Sequence, residues 1–239
     1  MKLDKQLMNT TIVTFFGECG CGKTSLIKRY VQGIEVKEYE PTIEDFYNTT
    51  VDLDGKEINL KLIDTASGDS FKPLRDRFIE KTEVFVFVYS VDNYFSFKNV
   101  EKSIELTIAQ YKKVKSPKKV NVYPSFLVVA NKIDTNNREV SMQDGKEIVE
   151  KISDRFPAAY YETSAKENLK VDYLFETIAR GSARKRFHYK TEGVSKRRAI
   201  RLEKPIIDEE FKEEEEQMSK CASFKKKIRT SFVDAFSRL

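Results

Sequence analysis

The chain has 239 residues, 40% of them hydrophobic and 34% charged, which suits one folded domain of ordinary size with an appendage. Its three cysteines and single histidine argue against a disulfide scaffold and against a zinc site. The polar N-terminus is unlike a signal peptide, and no apolar run is long enough to span a membrane.

The net charge of +5 is distributed unevenly along the chain. Residues 182–239 hold 16 of the 43 basic residues and 10 of the 38 acidic residues, which leaves residues 1–181 nearly neutral. We therefore expect no nucleic acid partner for the body of the protein, and a C-terminal segment that meets an acidic surface.

The first predicted elements flank a glycine-rich loop. A β-branched and aromatic run at 11–16 predicts a strand, and the run at 22–33 predicts an amphipathic helix that Gly33 ends. Residues 47–65 alternate apolar and polar side chains around Asp54-Gly55, which predicts a β-hairpin.

The following residues alternate between predicted strands and predicted helices. Continuous apolar runs at 84–91 and 126–134 predict strands that are buried on both faces. The stretches predicted as helices are 96–113, 141–156 and 171–185. This order predicts an α/β fold, with a mostly parallel sheet, helices on both of its faces, and ligands at the carboxyl ends of the strands.

The stretch GECGCGKTS (17–25) has the spacing of a phosphate-binding loop, G-x-x-x-x-G-K-[ST], between a predicted strand and a predicted helix. Glycines in such a loop let backbone N–H groups cradle phosphate oxygens. Lys23 would reach the β- and γ-phosphates, and the Thr24 hydroxyl would bind Mg²⁺. The phosphate-binding residues predicted here are Gly17, Gly20, Gly22, Lys23, Thr24 and Ser25.

Two later motifs predict selectivity for guanine. Asp134 in NKID (131–134) can accept hydrogen bonds from the N1 and N2 donors of guanine, a pair of donors that adenine lacks. Asn131 would bind the base edge, and Lys132 would lie across the face of the base. In ETSAK (162–166) the backbone and Ser164 would support Asp134 and the guanine O6. The predicted base-binding residues are Asn131, Lys132, Asp134, Ser164, Ala165 and Lys166.

Five motifs in this order, GECGCGKT, EPTIEDFY, LIDTA, NKID and ETSAK, resemble those of Ras-type small GTPases, and QGIEVKEYEPTIEDFY is similar to the Rap branch. The resemblance covers roughly residues 10–180. It implies a P-loop NTPase G domain with a six-stranded sheet and one antiparallel edge strand. We expect residues 1–181 to form this domain and residues 182–239 to form a charged, largely disordered extension.

The resemblance also implies ligands and two switch segments that order on the γ-phosphate. The implied ligands are GTP or GDP and Mg²⁺. Tyr39 would close over the phosphates, and Ser67 would offer its backbone N–H to the γ-phosphate. The implied Mg²⁺ ligands are Thr24, Thr42 and Asp64, and the implied catalytic positions are Lys23, Thr42 and Gly68. The implied effector-binding residues are Glu40, Pro41, Thr42, Ile43, Glu44, Asp45, Phe46 and Tyr47.

Several positions depart from the family pattern. Gly68 stands where a glutamine orients the attacking water, and Ser67 replaces a glycine. Cys19 would crowd an arginine finger, which is worth about 10³–10⁵ in rate. The changes at Gly68 and Cys19 both predict slow hydrolysis, unless Asp69 or Ser70 positions the water instead.

Glu35 replaces an aromatic residue that stacks on guanine, which predicts fast nucleotide release. Slow hydrolysis combined with fast exchange predicts a protein that is mostly loaded with GTP.

We expect no prenylation of the C-terminal extension, because Phe236 stands fourth from the end of this sequence, where the signal has a cysteine. Residues 218–239 place Cys221, Phe224, Ile228 and further apolar side chains along one face of a helix with basic neighbours. Such a basic amphipathic helix binds an acidic membrane surface or a calmodulin-like partner. The alternatives are a helix that packs back on the G domain, or no helix.

The sequence thus predicts a monomeric, cytoplasmic Ras-like switch, peripheral at the cytoplasmic face of a membrane, that hydrolyses GTP slowly. Its expected partners are effector proteins and an exchange factor, while an activating protein is left open. One alternative is a pseudo-GTPase interaction module held in a GTP-like state. Another, an ATP-using kinase with the same loop, leaves NKID and ETSAK without a role.

Overall fold

The computed structural model describes residues 10–37, 40–42, 44–66, 77–114 and 123–191, with side chains as far as residue 182. All of these residues belong to Met1–Ala199, the first of two units into which the chain divides. The predicted features beyond residue 191, including the amphipathic helix at 218–239, lie outside the described residues and stay predictions.

The first strand leads through the glycine loop into a helix, as predicted. Strand β1 (Thr10–Gly17) is followed by helix α1 (Lys23–Gln32). Gly33 ends α1 with a left-handed φ of 70°, and its N–H donates to the Arg29 carbonyl oxygen. Glycine is favoured at such a helix end because it has no Cβ to clash in this conformation.

The predicted hairpin consists of β2 (Glu44–Leu53) and β3 (Lys56–Thr65), which pair antiparallel. Both turn residues have positive φ angles, 54° at Asp54 and 77° at Gly55. Asp-Gly suits this turn because its twist matches that of the two strands.

Three further strands complete a six-stranded sheet: β4 (Val84–Ser90), β5 (Ser125–Asn131) and β6 (Ala158–Glu162). The strand order is β2-β3-β1-β4-β5-β6, and every pair is parallel except β2 with β3. This confirms the predicted mostly parallel sheet with an antiparallel edge strand. Strand β5 ends at Asn131, three residues before the end of the predicted run, because Lys132 turns the chain with a φ of 63°.

Three further helices are α2 (Tyr94–Val114), α3 (Met142–Ser153) and α4 (Val171–Thr191). Helix α3 begins at Met142 because Ser141 and Asp144 form a capping box. Helix α4 passes through Gly181 without a break. The domain boundary predicted at this residue stays a prediction. In the described part of the chain, no helix has the length and apolar character that crossing a membrane requires.

Two apolar clusters lie on opposite faces of the sheet. One includes Phe15 of β1 and packs under α1 and α4, and the other includes Phe16 and packs under α2 and α3. Neighbouring residues of β1 therefore point into different clusters, as expected for a central strand covered on both faces. The three-layer architecture places the carboxyl ends of β1, β3 and β5 at one edge of the sheet.

Gly145 in helix α3 is required by packing. A Cβ atom at this position would lie 2.2 Å from Cε2 of Tyr160 and 2.7 Å from the hydroxyl of Tyr89. We expect Gly145→Ala to destabilise the protein by about 1–3 kcal/mol, because this overpacking outweighs the better helix propensity of alanine. Urea unfolding followed by circular dichroism measures the change.

Gly181 in helix α4 provides the matched control, because a Cβ atom there would meet nothing within 4 Å. Gly181→Ala should stabilise the protein by about 0.5–1 kcal/mol through helix propensity alone. Equal stabilisation by both substitutions would contradict the proposed packing constraint at Gly145.

Candidate functional site

The glycine loop between β1 and α1 approaches its neighbours closely. A Cβ atom on Gly17 would lie 2.2 Å from the carbonyl oxygen of Val88, and one on Gly22 would lie 2.1 Å from Nδ2 of Asn131. Gly22 also has a left-handed φ of 97° and precedes α1, whose N-terminus has no side-chain cap. The first N–H groups of α1 are thus oriented as in phosphate-binding loops.

Lys23 is held at the base of this loop. Its side chain is 6% exposed, and its Nζ donates to the carbonyl oxygens of Gly17 at 2.9 Å and Glu18 at 3.1 Å. These bonds draw the ammonium group back across the loop, where its charge adds to that of the helix N-terminus. The loop can therefore attract an anion with both backbone donors and one fixed positive charge.

Three oxygen-bearing side chains from three separate segments meet beside the loop. The Thr24 hydroxyl of α1 donates to Oδ2 of Asp64 at 2.5 Å, and it lies 3.0 Å from the hydroxyl of Thr42. Asp64 lies near the end of β3, and Thr42 lies two residues before the start of β2. These are the three residues predicted to bind Mg²⁺, and the structure brings them together.

Asp64 suits a cation because its carboxylate is incompletely satisfied. The residue is fully buried, and its Oδ1 has no hydrogen-bond partner among the described residues. Burial raises the pKa of Asp64 above its ordinary value, although the hydrogen bond from Thr24 and the charge of Lys23 act in the opposite direction. A hard divalent cation such as Mg²⁺, which prefers oxygen ligands, would neutralise this buried charge.

The two cysteines of the loop differ in environment. Cys21 is 1% exposed, and burial raises the pKa of its thiol, although the nearby charge of Lys23 lowers it. It therefore serves as a neutral, packed side chain rather than as a nucleophile. Cys19 is exposed in the turn of the loop, where the sequence predicts interference with an arriving arginine finger. That interference stays a prediction.

Asn131 joins the glycine loop to the ETSAK loop. Its side chain is 1% exposed; Nδ2 donates to the Cys21 carbonyl oxygen at 3.0 Å, and Oδ1 accepts the Ala165 N–H at 3.2 Å. The Thr163 hydroxyl also donates to this Oδ1, at 3.3 Å. The sequence reasoning missed this linking role. The predicted contact between Asn131 and a base edge stays a prediction.

Asp134 and Ser164 are paired as the sequence predicts. The Ser164 hydroxyl donates to Oδ1 of Asp134 at 2.5 Å, and Ser164 is buried while Asp134 is exposed. The carboxylate is thus fixed at one oxygen and presented to solvent beside Lys132, whose positive φ turns the chain at the end of β5. Lys166 of the same loop is exposed.

A polar cluster that the sequence did not reveal fixes the start of the ETSAK loop. Glu162 accepts hydrogen bonds from Arg138 at 2.9 Å and from the Tyr160 hydroxyl at 2.9 Å. The Tyr160 hydroxyl lies 3.4 Å from that of Tyr89, and burial raises the pKa of Tyr89 to about 12. Burial likewise raises the pKa of Tyr160, so both hydroxyls keep their protons at neutral pH.

The predicted effector surface follows the exposed edge strand β2. Phe46 is 47% exposed, with the Nζ of Lys61 4.9 Å from the centre of its ring. Glu44 forms an ion pair with Arg77 at 3.7 Å, and Asp45 is exposed. Glu40, Pro41, Thr42 and Tyr47 are also described, whereas Tyr39 and Ile43 lie outside the described residues.

The positions that bear on hydrolysis and release are described only in part. Ser67, Gly68, Asp69 and Ser70 of the second switch lie outside the described residues. After α1, Ile34 is 48% exposed and Glu35 is exposed. An exposed aliphatic side chain and an exposed acidic side chain therefore stand where the family pattern has an aromatic ring that stacks on guanine.

Comparison with known proteins agrees with this geometry. A family model described as the Ras family matches residues 12–184. Ras-like protein 1 of Saccharomyces cerevisiae is 32% identical over 181 residues, which covers 75% of this chain and 55% of that protein. This chain therefore spans about half the length of the curated relative that it matches.

The buried Asp64 predicts a pH-dependent cost in stability. Burial raises the pKa of Asp64 in the folded state above its value in the unfolded state. The free energy of unfolding therefore falls as the pH rises through the folded-state pKa, and above that pKa the ionised carboxylate destabilises the folded protein. We expect Asp64→Asn to stabilise the protein, freed of nucleotide and divalent cations, by about 1 kcal/mol at neutral pH. This gain should shrink on acidification, as measured by urea unfolding at a series of pH values.

Asp144→Asn is the control of opposite sign. Hydrogen bonds from the Ser141 side chain and backbone lower the pKa of Asp144, so its stabilising effect is present at neutral pH and is lost as the pH falls. Its substitution should destabilise the protein slightly at neutral pH, because the capping box is lost and solvent screens an exposed carboxylate. A loss of stability in both variants would contradict the assigned cost of Asp64.

Proposed function

Because the chain belongs to the Ras family, we propose that it is a molecular switch that binds GTP and GDP with Mg²⁺ and hydrolyses GTP slowly. The observation that carries this proposal is the meeting of Thr24, Thr42 and Asp64 beside the glycine loop. Thr42 belongs to the predicted first switch. A ligand that engages this cluster would therefore bias the conformation of the effector surface that follows it.

Thr24, Thr42 and Asp64 are the residues that would hold Mg²⁺. Two hydroxyl oxygens and a buried, half-satisfied carboxylate suit a small hard cation. When bound, Mg²⁺ neutralises charge on the β- and γ-phosphates. Lys23 and the N-terminus of α1 would supply the remaining positive potential for the phosphates.

Asp134 supports a preference for guanine. One of its oxygens accepts the Ser164 hydroxyl, so the exposed carboxylate is fixed in orientation before a base arrives. A carboxylate accepts from two donors on the same base edge, which guanine offers at N1 and N2 and adenine lacks. Preorganisation of this kind reduces the entropy lost on binding.

The proposed slow hydrolysis follows from side chains in the loop and the second switch. Gly68 has no side chain with which to orient a water molecule, and phosphoryl transfer depends mainly on such positioning. Cys19 is exposed in the turn of the glycine loop and would oppose an arginine supplied by an activating protein. With Glu35 in place of a stacking aromatic ring, release is expected to be fast, so the protein would be mostly GTP-loaded.

The proposed partners are effector proteins at the edge strand β2 and an exchange factor. Glu40, Asp45 and the exposed ring of Phe46 give this surface both negative charge and apolar area. Such a combination suits a basic partner with an apolar contact. Attachment to the cytoplasmic face of a membrane through residues 218–239 rests on the sequence alone and stays a prediction.

Binding of guanine nucleotides tests the proposal directly. We expect the full chain to bind GDP in the presence of Mg²⁺ and not ADP, and Asp134→Asn to weaken GDP binding by about 100-fold or more. The amide would present a donor where the carboxylate accepts, which leaves a guanine donor unpaired. Isothermal titration calorimetry with each nucleotide measures the affinities.

Glu150→Gln, which neutralises an exposed carboxyl of helix α3, is the matched control and should bind GDP like the unmodified chain. Equal affinity of the unmodified chain for GDP and ADP would refute the assigned base recognition. Absence of binding to either nucleotide would favour the alternative of a nucleotide-independent interaction module.

Replacement of Gly68 tests the proposed cause of slow hydrolysis. We expect Gly68→Gln to raise the single-turnover rate of GTP hydrolysis by about 10-fold or more, since a positioned side chain can then orient the attacking water. Release of radiolabelled phosphate from preloaded protein, started with Mg²⁺, gives the rate without interference from nucleotide exchange.

Glu57→Gln, at the exposed start of β3 and outside the second switch, introduces the same side chain and should leave the rate unchanged. Brisk hydrolysis by the unmodified chain would mean that another side chain positions the water, and this would be an ordinary cycling GTPase. If neither the unmodified chain nor Gly68→Gln hydrolyses bound GTP, the pseudo-GTPase alternative would replace the proposal.

A further inference from the structure

Arg29 of helix α1 binds the ETSAK loop from a position distant in sequence. Its Nε donates to the carbonyl oxygen of Ala165 at 2.8 Å, and a terminal nitrogen donates to that of Lys166 at 2.8 Å. Its other terminal nitrogen donates to the carbonyl oxygen of Gly33 at 3.3 Å. One half-buried guanidinium group thus connects the end of α1 with two consecutive peptide groups of the predicted base-binding loop.

These bonds continue to the carboxylate that would read the base. The carbonyl of Lys166 and the N–H of Glu167 belong to the same planar peptide group, so Arg29 fixes the direction of that N–H. The Glu167 N–H donates to the Ser164 hydroxyl oxygen at 3.0 Å, and this hydroxyl donates to Oδ1 of Asp134 at 2.5 Å. The orientation of Asp134 is therefore coupled to Arg29 through consecutive hydrogen bonds.

The other peptide group held by Arg29 joins Ala165 to Lys166. Its carbonyl accepts from Arg29, so its Lys166 N–H is directed to the opposite side of the loop. The Ala165 N–H in turn donates to Asn131, whose amide also binds the glycine loop. Arg29 and Asn131 thus fix successive peptide groups of this loop.

The contacts of Arg29 are not needed to close the loop. Ser164 and Leu169 exchange two backbone hydrogen bonds, of 3.1 Å and 2.9 Å, which form the turn by themselves. The flanking elements are also held in place, because β6 is a strand of the sheet and α4 packs against the sheet. Loss of Arg29 should therefore leave the fold and the loop in place, and should free only the orientation of the two peptide groups.

We propose that Arg29 is a positioning residue for guanine recognition, which orients Asp134 and the backbone of residues 165–167 and thereby slows nucleotide release. This inference rests on the proposed binding of guanine nucleotides. Arg29 lies six residues after Lys23 on the same helix, so a rigid α1 joins the phosphate end of the site to the base end.

The chemistry of the guanidinium group explains why arginine suits this position. Its planar fork offers several donors in fixed directions, whereas the ammonium group of lysine is a compact charge on a flexible stem. The guanidinium group binds three carbonyl oxygens from two segments through three separate nitrogens in fixed directions, whereas lysine would have to reach all three from a single nitrogen. Lysine should therefore retain the charge but restore only part of the positioning.

Dissociation of a fluorescent GDP analogue from the full chain, chased with excess GDP in Mg²⁺, tests the inference. We expect Arg29→Ala to release the nucleotide about 10-fold to 100-fold faster than the unmodified chain, because charge-assisted hydrogen bonds that fix the loop are lost. Arg29→Lys should lie between the two. Arg180→Ala, which removes an exposed arginine paired with Glu176 and Asp54, should release it at the unmodified rate.

A second measurement separates positioning from a general structural role. IDP lacks the 2-amino group that Asp134 would bind, so the ratio of GDP to IDP affinity reports the orientation of Asp134. This ratio should fall in Arg29→Ala and recover in part in Arg29→Lys. Circular dichroism of the loaded proteins verifies that each variant is folded.

The possible outcomes are distinguishable. If the unmodified chain binds no guanine nucleotide, the proposed function fails and this inference fails with it. If the unmodified chain binds GDP and Arg29→Ala releases it at the same rate, the inference is wrong while the proposed function stands. An equal loss of GDP and IDP affinity would assign Arg29 a structural role and would also overturn the inference.

Discussion

Asp64 is fully buried at the carboxyl end of β3, and within the described residues only one of its two carboxylate oxygens has a partner. That partner is Thr24, the second residue of α1, so the carboxylate holds the start of the helix against the sheet. Thr42, which precedes the edge strand β2, lies against the same hydroxyl. An unfavourable buried charge is thus placed where the central sheet, the glycine loop and the predicted first switch meet, and a cation would relieve it.

The described part of the site is held by bonds between loops in addition to contacts within each loop. Asn131 binds the glycine loop with one end of its amide and the ETSAK loop with the other. Arg29 adds a second connection from α1 to the ETSAK loop. Such mutual support gives a predicted base-binding region that is held in place before a ligand arrives, whereas a switch requires adjacent segments that can change conformation.

The chain departs from the family pattern at several positions but retains the residues that are predicted to bind nucleotide and metal. Lys23, Thr24 and Asp134 occupy geometry suited to phosphates, a metal and a base. The altered residues, Cys19 and Gly68 among them, are at sequence positions predicted to affect the attacking water or a partner's arginine. Binding and turnover rely on different side chains, so one can be retained while the other is reduced. This separation is the reason for proposing a slowly hydrolysing switch rather than a wholly inactive module.

The sequence by itself determined the elements and the motif residues, because these depend on local chemistry. Asp54-Gly55 suits the hairpin turn, Gly33 suits a left-handed helix end, and the alternation of apolar strands with helices predicts the layers. Only the tertiary structure decided how the loops are joined. Arg29 binds Ala165 and Lys166, which are separated from it by 136 and 137 positions in the sequence. Arg138 binds Glu162, at the start of the same ETSAK loop. An arginine or a buried asparagine looks the same in a sequence whether it faces solvent or joins two loops, because Arg29 and Asn131 bind mainly backbone N–H and carbonyl groups, which almost every residue carries.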